Sequence, residues 1–226
     1  MRRDDEGSDA PRVDPPNVPA FDTVDDWGRD EQMIRALSPL AWLRWSVSVG
    51  GAHLLPQEGG ALLVTNTRRT SLSGIYVSWA LSRAISRPVR FVGRPDVAPV
   101  GPFLRRLGGL LKDPAEVEGA LRAGEIVLVC AHPTGHPRHA GPIDHHIVGA
   151  AVRVGVPVHP VASTSSNFSR AARADVGAAV RSRRKRRGPL AEIELAEATQ
   201  RSLQKMLDEF GGVQTGVPPV DWLAEG

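Results

Sequence analysis

The sequence predicts a single α/β domain whose mostly parallel sheet is flanked by helices. Three observations predict it. Residues 125–131, EIVLVCA, are apolar throughout after the first residue, as a central parallel strand covered on both faces must be. Short apolar runs of this kind alternate with stretches of helical period along the whole chain, without an internal repeat. Residues 59–74, GGALLVTNTRRTSLSG, run from an apolar strand directly into a polar loop and the start of a helix. Open α/β sheets place their ligands at that kind of junction.

The elements follow in order. Residues 1–26 are rich in Pro, Asp and Gly and lack periodicity, which predicts a disordered acidic lead. The domain proper is assigned to residues 27–210. Its first helix carries Met33, Ile34, Leu37, Leu40, Ala41 and Leu43 at helical spacing, and Pro39 is expected to break or kink it. Trp42 and Trp45 near its end either pack on the sheet or lie in a membrane interface. Residues 46–49 read as a strand turned by Gly50 and Gly51, 61–64 as the strand noted above, 74–86 as a helix and 88–93 as a strand. A proline-punctuated loop spans 94–102. Residues 103–107 form a short helix stopped by Gly108 and Gly109, and 110–111 a very short strand. Pro114 opens a helix that stops at Gly124. After the 125–131 strand, residues 132–142 form a loop and 144–154 a helix ended by Gly155. Residues 157–162, PVHPVA, contain two prolines and read as an edge or irregular strand. Residues 175–180 read as a last strand, 190–210 as the longest helix, stopped by Gly211 and Gly212, and 211–226 as an extended tail.

Composition narrows the function classes. With 226 residues, one cysteine and apolar content in the globular range, the chain is large enough for a substantial core and holds no internal disulfide. Cys130, inside an apolar run, reads as a small core residue. No run approaches the roughly 18 apolar residues of a membrane span, and the two N-terminal arginines have no apolar stretch behind them, so the expected place is the cytoplasm. The net charge of +3 hides an asymmetry: residues 1–30 hold nine acidic side chains against four arginines, which leaves +8 on the remainder. That excess points to anionic partners. Its densest part is Arg181, Arg183, Arg184, Lys185, Arg186 and Arg187. This run suits an anionic membrane surface on the inner face better than nucleic acid, because no aromatic platform or base-reading motif accompanies it.

Four motifs carry a resemblance. The 59–74 stretch is similar to the first motif of the glycerolipid (lysophospholipid) acyltransferase family, roughly Asn-His-x-Ser-x-x-Asp after an apolar strand. Asn66 is in place, Thr67 stands at the His position and Leu72 at the Asp position. In PVGPFLRRLGGLLKDP, Pro99, Gly101, Gly108 and Gly109 match the second motif, whose Arg falls at Asp113 or Pro114. In the third, His132 replaces a Glu, Thr134 is retained and Gly135 replaces an Arg. The fourth, a Gly-Val-Pro-x-x-Pro-Val run, matches residues 155–162. The resemblance covers about residues 27–210.

The resemblance implies an acyltransferase-like α/β fold. In the family the His is a general base on a lysolipid hydroxyl, the Asp orients it, and the third-motif Glu and Arg hold the glycerol phosphate. A positioned base contributes roughly 10²–10⁴ in rate. Thr67 does not titrate near neutral pH and Leu72 orients nothing, so the chain resembles a degenerate member with no assignable catalytic residue. Asn66, Arg68, Arg69, Ser71, Ser73, His132 and Thr134 remain as candidates to hold a lipid or phosphate, with the arginines suited to bidentate contact. No cofactor is required, although acyl-coenzyme A is a candidate donor or ligand, and a protein partner stays open. A serine–histidine nucleophile lacks a Gly-x-Ser-x-Gly elbow. A metal site on His132, His136 and His139 would need a helix that Pro133, Gly135 and Pro137 forbid. Three functions remain: a lipid- or acyl-CoA-binding relative without efficient transfer, an acyltransferase with another base or acceptor, and a structural interaction protein with a filled pocket.

Overall fold

Gly59 and Gly60 lead into β2 (Ala61–Thr65), in which all five residues are buried. Its alternate side chains serve two cores. Leu62 and Val64 point into a cluster with Leu121, Ile147, Ala150 and Leu195, while Ala61 and Leu63 meet Tyr76, Val77 and Leu81 on the other face. The period of two along a continuously apolar strand thus reports helices on both faces. β5 (Ile126–Cys130) repeats the pattern and pairs with β2 in parallel, Ala61 opposite Ile126 and Thr65 opposite Cys130. This computed structural model describes residues 24–44, 46–67, 72–134, 139–165, 171–181 and 188–210, less the side chains of Trp42 and Arg44.

Around this pair the chain builds a seven-stranded sheet. β1 (Ser46–Gly50), β3 (Val89–Arg94), β4 (Gly109–Leu111), β6 (Val158–Ser165) and β7 (Ala171–Val176) join in the order β1-β7-β6-β2-β5-β3-β4. Every pairing is parallel except β6 with β7. One face carries α4 (Pro114–Arg122), α5 (His145–Val154) and α6 (Pro189–Glu209). The other carries α2 (Ser73–Ile85) and, toward β3, α1 (Glu31–Arg44), whose Ile34 packs with Phe91 and Leu107. The caps agree with the sequence. Asp113 accepts from the N–H groups of Ala115 and Glu116 with Pro114 behind it, Asp144 accepts from His146, and Gly155 ends α5 at φ 88°. The mostly parallel α/β fold therefore stands as predicted.

Four local expectations are corrected. Pro39 does not end α1, which runs on to Arg44; the proline withholds one backbone donor on a surface-exposed helix. The third helix, α3 (Val100–Arg106), begins inside the supposed proline loop. β7 covers residues 171–176 rather than 175–180, and Val180 makes only an isolated bridge to Val158. β6 is an interior strand, not an edge, despite Pro160. The Pro160 carbonyl accepts from Gly177 N–H, and Val180 N–H reaches Val158 O. The missing Pro160 donor therefore falls on that same side, before the ladder with β7 starts at Val161. Residues 1–23 of the expected 1–26 lead, the expected tail from 211, and Trp45 lie outside the described residues. Residues 24–26 are described, with Val24 bridged to Asp30 and Asp25 accepting from the Trp27 and Arg29 N–H groups, so the folded part starts ahead of residue 27.

Residues 24–30 bind the two faces together. Trp27 packs against the α4 side, where a side chain at Gly119 would meet its ring at 3.1 Å, and Asp30 pairs with Arg106. Asp25 reaches Arg90 on β3 at 2.6 Å. Arg90 is fully buried, with Glu125 3.0 Å from its Nε. A buried guanidinium persists only with such charge partners.

His159 on β6 is 3% exposed and its Nδ1 meets Gly177 O at 3.0 Å. Burial lowers its pKa, and the carbonyl offsets this only in part. The unfolded chain, with an ordinary histidine pKa of about 6.5, therefore binds a proton more readily than the fold. The contribution is present above that value and is lost as pH falls toward the lower folded pKa. In urea titrations between pH 7.5 and 5, the wild type should lose stability more steeply than His159→Gln. Parallel curves would show that His159 is not the titrating group.

Candidate active site

The carboxyl ends of β2, β5 and β6 converge. Thr65 closes the ladders, opposite Cys130 on one side and Val161 on the other. Asn66, 7% exposed, then extends the contact through its side chain. Its Nδ2 donates to Ser163 O at 2.8 Å, and its Oδ1 accepts from Ser163 N–H at 2.8 Å and Ser163 Oγ at 3.1 Å. The amide imitates a strand where the strand has ended. Thr65 Oγ1 adds a 3.2 Å contact to Ser163 Oγ. Asn66, counted among the ligand candidates from sequence, is thus committed to β6.

Thr67 turns the chain away, and α2 begins at Ser73 with Leu72 as its N-cap. Leu72 provides no side-chain cap, and its apolar chain is 57% exposed. Ser73 is buried and donates from Oγ to Thr67 Oγ1 at 2.8 Å. Cys130 joins them: its thiol lies within hydrogen-bonding reach of the Ser73 hydroxyl, the Gly74 N–H and the Thr67 hydroxyl. A Cβ on Gly74 would stand 3.3 Å from Cys130 Sγ, so the small residue permits this approach. Burial pushes the thiol pKa up despite those three contacts, so Cys130 is not a ready thiolate near neutral pH. As expected, the Cys130 thiol is set into the fold, and it also borders the polar cluster because it is the last residue of its strand.

Beyond β5, Ala131 N–H reaches Thr65 O and His132 N–H reaches Pro142 O, both at 2.8 Å. These bonds hold the start of the third-motif loop beside β2. Gly141 is required there, since a Cβ would lie 1.8 Å from His132 O. The His132 side chain is exposed at this edge. Thr134 is half-buried and donates to His139 O at 3.1 Å, closing its own loop. The structure therefore brings Asn66, Thr67, Ser73 and Cys130 together with the 131–134 backbone. Arg68, Arg69, Ser71, Gly135 and His136 lie outside the described residues, as do Arg183, Arg184, Lys185, Arg186 and Arg187. Arg181 is described and exposed. Among the described residues, no three His, Cys, Asp or Glu side chains converge as a metal site, and no helix is long and apolar enough to cross a membrane.

Sequence reasoning missed two members of this site. Ser163 is ninety-seven positions from Asn66 and carries no motif of its own. Its signal lay only in the polar turn of STS at the end of an apolar strand. Cys130 was hidden by the apolar run before it. The cluster itself consists of hydroxyls and a neutral thiol, while the N–H groups of Ile75 and Tyr76 in the first turn of α2 are taken by Leu72 O. That chemistry can hold a polar or anionic group and provides no base.

No protein-family model matches the chain, and no curated protein matches it. Among solved structures, the crystal structure of the 1-acyl-sn-glycerophosphate (LPA) acyltransferase PlsC from Thermotoga maritima is similar, with a TM-score of 0.57 and 18% identity. The match covers 82% of this chain and 85% of that one. It shows that the two chains share a fold.

Removing the Asn66 amide strands two backbone groups of a residue that is 5% exposed. Asn66→Ala should therefore cost about 3 kcal/mol of unfolding free energy, at roughly 1–3 kcal/mol for each unsatisfied group. Asn66→Asp should recover little, because a carboxylate cannot donate to Ser163 O. Denaturant titration of both variants measures this, and a loss below ~1 kcal/mol in each would refute the clamp.

Proposed function

We propose that this chain is an acyltransferase-like protein that binds a lipid or acyl-coenzyme A at the carboxyl edge of its sheet, against a membrane surface, without efficient acyl transfer. One observation carries the reading. Where the similar family places a base and its orienting acid, this edge holds Thr67, tied to Ser73 at 2.8 Å, and an exposed Leu72. Neither side chain takes up a proton near neutral pH. The nearby Cys130 thiol is pushed up and is no substitute. What remains, the Thr67 and Ser73 hydroxyls beside a neutral thiol, suits retention of a polar headgroup better than its deprotonation.

A second reading has its own observation. His132 is exposed at the same edge, two residues past the end of β5. An imidazole there would serve an acyltransferase that uses a different base. Its removal would then lower turnover by roughly 10²–10⁴.

Incubated with acyl-coenzyme A and lysophosphatidic acid, the protein should release no coenzyme A beyond a heat-killed control. Thr67→His combined with Leu72→Asp should remain inactive, because His132 and Gly135 still stand where the family carries its phosphate-holding pair, and such residues act as a unit. Turnover in the wild type that His132→Ala abolishes would replace this reading with the second one.

The membrane part rests on residues 181–187, where Ser182 alone is uncharged. Attraction of exposed charge to a bilayer is screened as the Debye length falls from about 10 Å at 0.1 M salt to about 3 Å at 1 M. The protein should sediment with anionic vesicles at low salt and leave them as salt rises. Replacing the five arginines and Lys185 by glutamine should abolish sedimentation. A wild type that ignores anionic vesicles at low salt would remove the membrane from the proposal.

A further inference from the structure

We infer that the cleft between α1 and α2, at the opposite end of α2 from the candidate active site, is a binding site for a phosphate-bearing small molecule or headgroup. The cleft has a volume of about 510 Å³, within the size range of small-molecule sites. Arg29, Arg35, Arg83 and Arg87 border it, and Glu31 is the one carboxylate among its lining residues. Guanidinium groups keep their charge at any physiological pH. The lining therefore carries a net positive charge of three.

Arg83 is engaged in an interaction of its own, so the excess is carried chiefly by Arg29, Arg35 and Arg87. Arg29 is only 7% exposed, so its charge is costly. One of its terminal nitrogens lies 3.3 Å from Glu31, which also faces Arg35 at 3.5 Å. Its other terminal nitrogen is buried without an acceptor among the described residues. Burial lowers the Arg29 pKa and buried Arg90 adds repulsion, while Glu31, Asp25 and Glu125 offset part of this. Trp79 Nε1, on a residue that also lines the cleft, is a second buried donor without an acceptor among the described residues.

Among the described residues, Arg87 is held by backbone carbonyls: it donates to Pro56 O, Gly59 O and Gly124 O at 2.7, 3.0 and 3.1 Å. These bonds fix the guanidinium without neutralising it. A concave site with preorganised arginines and one shared carboxylate favours an anion with several acceptor oxygens. A dianionic phosphate fits the excess better than a monoanionic carboxylate. Ile34 and Pro88 add apolar wall for the carbon portion of the molecule. Ser86 and Pro88 lie at the amino end of β3, whereas Thr67 and Ser73 lie at the carboxyl edge, so this cleft is separate from the candidate active site. The inference does not depend on the acyltransferase-like reading.

The test is isothermal titration of the full chain at low salt with two probes, inorganic phosphate and short-chain phosphatidic acid below its micelle concentration. Arg35 is 77% exposed, so Arg35→Glu and Arg35→Ala should preserve the fold, checked by circular dichroism. Arg201→Glu on exposed α6 changes the net charge as much as Arg35→Glu does, far from the cleft in sequence and on another face. Saturable binding should weaken about tenfold in Arg35→Glu, less in Arg35→Ala, and little in Arg201→Glu, as loss of a charge-assisted contact predicts. Binding of phosphate itself with that dependence assigns a soluble phosphate ligand, and binding of the lipid alone assigns a headgroup. Saturable binding of neither probe, or equal loss in Arg35→Glu and Arg201→Glu, overturns the site.

Discussion

Everything at the functional edge hangs from one side-chain amide. Asn66 gives Ser163 both an acceptor and a donor, so β6 stays in register with β2 for one residue beyond the last backbone pair. Without it, the two central strands would part just where their loops diverge. Thr67, Ser73 and Cys130 gather within that fixed frame, and the 131–134 backbone is laid against it through Thr65 O. Asparagine suits the position because its planar amide carries one acceptor and one donor group side by side, as a peptide does. An aspartate or a leucine would have the shape without the pairing.

The resulting site separates scaffold from chemistry. The sheet belongs to a fold shared with the Thermotoga acyltransferase. The side chains at the junction are hydroxyls, a thiol and an exposed leucine. A fold positions groups, and what the groups then do is decided by their own acidity. Thr67 and Ser73 hold each other at 2.8 Å, and neither hydroxyl takes up a proton near neutral pH.

Much of the fold could be read from the chain because local and long-range preferences agree. The continuous apolar runs of β2 and β5 have no stable place except between two helical layers, and the caps at Asp113, Asp144 and Gly155 mark helix ends through nearest-neighbour chemistry. The reading faltered where a remote partner decides. Pro160 argued for an edge strand, yet only the position of Gly177 and Val180 shows that its missing donor is harmless. β7 runs antiparallel beside β6, and its alternating burial is set by β1 and β6, which no local period reveals. At the site, Asn66 was visible and Ser163 was not, because an asparagine after a strand has a local meaning and a serine at the end of one does not. Arg90 carries no local signal either: its partners, Asp25 and Glu125, come from distant segments.

The helix α2 has a mechanical consequence of its own. It is 13 residues long, about 18 Å from end to end. Ser73, in the hydroxyl and thiol cluster, forms its first turn, and Ser86, beside the arginine-lined cleft, caps its last. An α-helix of three to four turns behaves as a stiff rod at this length. A tilt imposed at Ser86 is therefore delivered to Ser73 as a displacement of comparable size, and the 2.8 Å bond to Thr67 tolerates little of it. Coupling of the two ends would therefore need only a rigid tilt of α2, with the strands between them left as they are.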